Sequence, residues 1–254
     1  EATDWSWSAL IMDLDNDGHK DLYIANGLAQ DILDQDYLNF IADEEITKMI
    51  VTKKGVDYKK LIDIIPVSRI SNYAFAGDSN LGFTDVTDIW GMDTPSHSNG
   101  AAYGDLDNDG DLDLIVNNVN MPPFIYKNKS RELVKENNFI KVKLKGEKMN
   151  LNAIGAKVTI RSNEQIFYLE QSPNRGFQSS VDYTMHFGLG KISNIDSLIV
   201  DWYYGKRTVL TNLSVNQTLV INETEGLKFN SQKHIKNHKP PIFKNISNLI
   251  NIDY

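Results

Sequence analysis

The chain contains no cysteine. Disulfide frameworks and thiolate-bound zinc are therefore excluded, although the compartment is left open. Positive charge is in deficit: 26 Lys and Arg stand against 34 Asp and Glu, for a formal net charge of −8. That balance argues against a nucleic-acid or other phosphate partner and suits a protein that binds cations. No apolar run approaches the length that crosses a bilayer, so no transmembrane segment is expected. The opening EATDWSW has neither the basic start nor the apolar stretch of a signal peptide. What the chain does have is a hydrophobic share of 41% over 254 residues, enough for one large core or two smaller ones.

It also has the hexapeptide DLDNDG twice, at 13–18 and 105–110. Counted from the first Asp, positions 1, 3, 5 and 9 are Asp13, Asp15, Asp17 and Asp21 in loop one. In loop two they are Asp105, Asp107, Asp109 and Asp113. Gly18 and Gly110 occupy position 6, where a sharp turn needs a residue tolerant of positive φ. His19 and Asp111 occupy position 7, from which a backbone carbonyl is available. Carboxylates crowded this closely repel one another unless a cation sits among them. Hard oxygen donors at this density suit Ca²⁺, with water completing six or seven ligands. The expectation is two calcium ions, one per loop, in a structural role. An EF-hand is excluded because position 12, which needs a bidentate Glu, is Ile24 in one loop and Val116 in the other. The runs after position 9, LYIAN and LIVNN, read as strands.

The repetition extends past the loops: WSWSALIMDLDNDGHKDLYIANG aligns with NGAAYGDLDNDGDLDLIVNN, an apolar strand entering and another leaving. With NYAFAGDSNLGFTDVTDIWGM upstream of loop two, this resembles FG-GAP or VCBS-type repeats, which build β-propeller blades. The fold expected is mainly β. Partial propeller blades are assigned to 1–28 and 67–137, and a helical insertion to 29–66. In the insertion, Ile32, Leu33, Phe40, Ile41, Ile46, Met49 and Ile50 recur at helical spacing, up to Gly55 and Pro66.

Short strands fill 138–224, and no helical period intrudes, which predicts a β-sandwich or barrel. Within it stand Gly155-Ala156, Gly176-Phe177, His186-Phe187-Gly188-Leu189-Gly190 and Val200-Asp201-Trp202 before Gly205. These resemble an ASPIC/UnbV domain, with Tyr203 where that family usually has Pro, so the local turn is expected to differ. The resemblance implies a domain that follows calcium-binding repeats, as here. It implies no particular chemistry. Residues 225–254 are read as a linker closed by Pro240-Pro241 and the start of a further repeat: Phe243, Asn245, Ile246 and Ser247 echo Phe83, Asp85, Val86 and Thr87. Two loops do not close a propeller, so the chain is expected to be part of a longer protein.

Other candidates divide evenly or fall to structure. Trp5 and Trp7 either stack on a ligand such as a sugar or pack within a blade. Trp202, Tyr203 and Tyr204 are expected to split between core and surface. Arg175 serves an anion or its own turn. His186 is read as part of a structural turn, and His234 and His238 as a chance pair lacking a third ligand. The sequons at Asn212 and Asn216 matter where the host glycosylates secreted proteins. No catalytic residue is assigned. The function expected is a calcium-stabilised binding or adhesion module, extracellular, at the cell surface or periplasmic, with a protein or glycan partner. By analogy with the family it is an accessory subunit of an outer-membrane transporter complex. The alternatives are part of a polysaccharide-acting enzyme and a structural spacer.

Overall fold

A computed structural model describes residues 5–31, 34–40, 58–63 and 65–229, with 47 and 51 as single positions. The strand expectation is met from the first described residues onward. Ser6–Met12 (β1) enters loop one and Asp21–Asn26 (β2) leaves it, paired antiparallel. Tyr73–Gly77 (β3) pairs with β2 and Phe83–Asp85 (β4) with β3, giving a four-stranded antiparallel meander in chain order. Ser98–Gly104 (β5), Asp113–Asn118 (β6) and Phe124–Tyr126 (β7) make a second meander of three strands, with loop two between its first pair. β5 lies against β1 and β2. The inward residues of both meanders, among them Leu10, Met12, Tyr23, Leu112, Leu114 and Val116, form one buried cluster. Away from the acidic loops the sheets are joined by amides and hydroxyls: Asn72 Nδ2 donates to Ser98 Oγ (2.9 Å), and Ser98 Oγ to Asn118 Oδ1 (2.7 Å).

Helix is sparse. Gln35–Phe40 (α1) and Tyr58–Asp63 (α2) fall in the expected insertion; most of the residues in its apolar repeat lie outside the described ones. Ser130–Leu133 (α3) is a single turn in the segment between β7 and the C-terminal part. No described helix is long and apolar enough to cross a membrane.

The C-terminal part is two facing sheets. One has the order β10-β9-β12-β13-β15, built from Lys157–Ser162 (β9), Gln165–Glu170 (β10), Asn194–Asp201 (β12), Lys206–Ser214 (β13) and Leu227–Lys228 (β15). The other sets Asn138–Lys145 (β8) between Met185–Gly190 (β11) and Gln217–Asn222 (β14), the last parallel to it. Alternating residues such as Ile140, Val142, Val158, Ile160, Leu198 and Val200 fill the space between them. This is a sandwich with its own core, separate from that of the meanders. Through β15 its larger sheet continues past residue 224. Residues 230–254, including the expected further repeat and His234 and His238, lie outside the described residues.

Candidate metal centres

The two acidic loops fold by one hydrogen-bond pattern. At position 1, Asp13 Oδ2 accepts from Gly18 N–H and Asp105 Oδ2 from Gly110 N–H, both at 3.1 Å. At position 3, Asp15 and Asp107 accept from the amide two residues on, and at position 5 so do Asp17 and Asp109. The backbone turns left-handed at Asn16 (φ 60°) and Asn108 (φ 63°), then at Gly18 (φ 94°) and Gly110 (φ 97°). Asn is among the few side chains that tolerate this region, and Gly enters it without strain.

At position 9 each loop is closed through backbone amides. Asp21 uses one oxygen to accept from Leu14 N–H (2.7 Å) and the other from Gly77 N–H (3.0 Å). Asp113 does the same with Leu106 (2.9 Å) and Asn128 (2.9 Å). Each carboxylate thus staples its loop closed and ties it to the third strand or the segment just beyond it. The second lone pair of each oxygen stays available to a cation.

The carboxylates do not gather identically. Asp13, Asp15 and Asp21 come together in loop one, whereas Asp105, Asp107 and Asp109 do so in loop two; Asp17 and Asp113 stand outside these groupings. His19 and Asp111 lie at position 7 as expected, but the Asp111 carboxylate turns away to accept from Ser130 Oγ (3.2 Å) and Arg131 N–H (3.1 Å) in α3. In both loops the position-1 carboxylate has an oxygen left over: Asp13 Oδ1 and Asp105 Oδ1 are buried and meet no hydrogen-bond donor, and loop two adds Asp111 Oδ1. A buried carboxylate oxygen with no donor is costly unless a cation or water faces it, so the residues present fit a hard metal ion.

The electrostatics of the loops differ. Burial pushes Asp13 up to about 8, with Asp21, Asp15 and Asp17 adding to the effect and Lys20 opposing it. Burial likewise raises Asp21 to about 7, against the amides of Leu14 and Gly77. Asp15 moves up through burial and then Asp17. Asp107 in loop two moves down, because the Lys127 ammonium hydrogen-bonds to it.

Both loops are roofed by the C-terminal sandwich. Asn16 O accepts from Gly190 N–H (2.8 Å), and Asn16 Oδ1 meets His186 Nε2 (2.6 Å). Asn137 Nδ2 donates to Asp15 O (2.9 Å). Gly188 packs so closely on Asp13 that a Cβ there would collide with its carboxylate. Gly110 stands equally close to the Phe139 ring, and Lys141 Nζ lies 2.5 Å from Asp105 Oδ2. The HFGLG run is therefore no turn: it is strand β11, buried along its length, with His186 at the junction. His186 stacks on Phe139 at 5.6 Å, and burial, then Lys20, Lys141 and Arg131, depress it to about 3. A second contact involves Phe177, whose N–H donates to Ser8 Oγ (3.3 Å) and whose ring meets Trp7 at 4.9 Å.

The other candidates resolve as follows. Trp7 packs at the junction, with Nε1 donating to Gly27 O (2.7 Å), while Trp5 is exposed. Trp202 is core, its Nε1 donating to Thr208 Oγ1 (2.9 Å). Tyr203 and Tyr204 lie in the turn after β12, exposed, rather than alternating along a strand. Arg175 donates to Asn174 O (2.9 Å) in its own loop. Beside this loop, Asn99, Asn117, Phe177, Gln178 and Ser179 line an open cleft of about 290 Å³.

Residues 146–228 match the protein family described as ASPIC and UnbV. The matched region is the sandwich without its first strand β8, and it leaves both acidic loops outside. Among curated proteins none matches the chain significantly.

Proposed function

We propose that this chain is a calcium-stabilised extracellular or cell-surface binding module, with one Ca²⁺ in each acidic loop. The observation that carries the reading is the pair of left-over oxygens. In two loops of the same construction, the position-1 carboxylate keeps one buried oxygen free of any donor. Asp13, Asp15 and Asp21 in the first loop, and Asp105, Asp107 and Asp109 in the second, would hold the ion. Asp17, Asp113 and the carbonyls of His19 and Asp111 are within the same short turns. Bound calcium would neutralise crowded carboxylates and stiffen turns on which the sandwich rests. Four antiparallel strands with an acidic loop between the first two support the FG-GAP/VCBS-type blade reading.

Loops of modest affinity fill at the millimolar calcium found outside cells, which supports an exported location. For the partner, the cleft beside Phe177 supports a glycan: Asn99, Asn117 and Gln178 offer amides to sugar hydroxyls. Calorimetry of the EDTA-stripped chain with CaCl₂ tests the metal reading, which fails if millimolar calcium gives no binding. A glycan array probed with the full chain, then with Asn117→Ala, tests the partner.

A further inference from the structure

We infer that the two loops are unequal calcium sites, loop one tight and loop two weak, and that Lys141, reaching across from the sandwich, sets the difference. The inference rests on the calcium reading above and deepens it.

The loops share one backbone and one hydrogen-bond pattern, although the carboxylates that gather differ, Asp13, Asp15 and Asp21 against Asp105, Asp107 and Asp109. Their surroundings differ in charge. Among the described residues, no lysine or arginine lies within ion-pair distance of any loop-one carboxylate. Loop two has two such cations. Lys141 Nζ sits 2.5 Å from Asp105 Oδ2, and its side chain is only 10% exposed. Lys127 Nζ sits 2.5 Å from Asp107 Oδ2 and 3.9 Å from Asp109 Oδ2, with a side chain 53% exposed. In both loops the second oxygen of the position-1 carboxylate is buried and without a donor, which points to an ion at each.

An ion entering loop one meets carboxylates that no described lysine or arginine contacts, Lys20 acting on Asp13 only from beyond ion-pair distance. An ion entering loop two meets carboxylates already partnered by ammonium groups, and it is repelled by them. The exposed Lys127 can swing into water when calcium arrives. Lys141 cannot do so easily, because it projects from the central strand β8 and is enclosed between the loop and the Phe139 ring. A fixed positive charge a few ångströms from the ion, in a site shielded from solvent, weakens binding by about ten-fold or more. It follows that calcium in loop one reinforces the docking of the sandwich, whereas calcium in loop two competes with one of its ion pairs.

The test is calcium titration by calorimetry on the EDTA-stripped full chain. Two classes of site are expected, separated by at least about ten-fold in Kd. Asp13→Asn should abolish the tight class and Asp105→Asn the weak one. Lys141→Met should tighten the weak class by about ten-fold and leave the tight class unchanged, while Lys141→Arg, which keeps the charge, should leave both in place. Lys127→Met should act in the same direction with a smaller effect. Should Lys141→Met fold poorly without calcium, its Kd is read from the calcium dependence of its melting temperature, with Lys141→Arg as the reference. Two equal sites, a reversed assignment, or an unmoved weak class in Lys141→Met overturns the inference while the calcium reading stands. Absence of any calcium binding overturns both.

Discussion

His186 Nε2 lies 2.6 Å from Asn16 Oδ1, and this bond fastens strand β11 of the sandwich to the left-handed turn of the first acidic loop. The orientation of the amide is fixed, because Asn16 Nδ2 donates to Gly110 O (3.0 Å) in the other loop. An amide oxygen only accepts, so the imidazole carries its proton on Nε2. One asparagine thereby joins both loops and the sandwich. Its counterpart at the same position of loop two, Asn108, is exposed.

Replacement of Asn16 should therefore cost more than replacement of Asn108. Asn16→Gly keeps the left-handed backbone at no steric cost and leaves His186 Nε2 and Gly110 O without partners, a loss of about 2–3 kcal/mol. Asn16→Ala should cost about 1 kcal/mol more, because alanine resists positive φ. Asn108→Gly should stay within about 0.5 kcal/mol of the parent chain. Urea denaturation at saturating calcium measures all three. An Asn16→Gly chain as stable as the parent would show that the junction is not held through this side chain.

Two glycines should be far less replaceable than their neighbours suggest. A Cβ at Gly188 meets the Asp13 carboxylate and the Asn16 backbone, and one at Gly110 meets the Phe139 ring. Neither neighbour is the loose end of a flexible chain. Gly188→Ala and Gly110→Ala should each cost about 2–4 kcal/mol through overpacking, and Gly188→Ala should also weaken calcium binding in loop one. Gly91 (φ 71°) has open space around its Cβ position, so Gly91→Ala should cost about 1 kcal/mol from backbone strain alone. Equal melting temperatures for Gly188→Ala and Gly91→Ala would contradict the tight docking of β11 on the loop.

The acidic loops were legible in the sequence because their information is local: nine residues, Asp13 to Asp21, carry the pattern, and Asp105 to Asp113 repeat it in the same register. The sandwich was legible from strand periodicity and from the HFGLG and VDW landmarks. The junction was not. Nothing near His186 signals a bond to Asn16, and nothing near Lys141 signals Asp105; these contacts are made by chain segments far apart in sequence. For the same reason the sequence marks Asp21 and Asp113 as metal ligands without showing their other partners. Their partners on Gly77 and Asn128 are backbone amides, which no side-chain pattern advertises. The Asp111 carboxylate was likewise invisible as the acceptor for α3.

Chelation should separate the two halves of the molecule. The sandwich core runs from Ile140 to Ile221 and draws no residue from the acidic loops. A piece covering 138–229 should melt cooperatively at a temperature that EDTA does not change. The full chain should lose stability on EDTA treatment by RT ln(1 + [Ca²⁺]/Kd) for each occupied site, about 2.7 kcal/mol where calcium had stood at a hundred times Kd. Differential scanning calorimetry in calcium and in EDTA decides this. An EDTA effect on the 138–229 piece would place a metal site in the sandwich.

The carboxylates at positions 1 and 9 should fail in different ways when neutralised. In Asp13→Asn the amide oxygen can still accept from Gly18, while the amide nitrogen replaces the oxygen that had no donor. The loss should be one of metal affinity, so excess calcium should restore much of the stability through mass action. In Asp21→Asn one of the two oxygens that accept from Leu14 and Gly77 becomes an NH₂, which faces a backbone N–H and cannot pair with it. That leaves a buried donor unmatched and costs about 2–4 kcal/mol, a deficit no concentration of calcium repairs, since the missing acceptor belongs to the fold. Melting temperatures of both variants across a calcium titration from micromolar to millimolar should therefore diverge: Asp13→Asn climbing toward the parent curve, Asp21→Asn running below it throughout. Full recovery of Asp21→Asn at high calcium would mean that its carboxylate acts through the metal rather than through the two amides it closes.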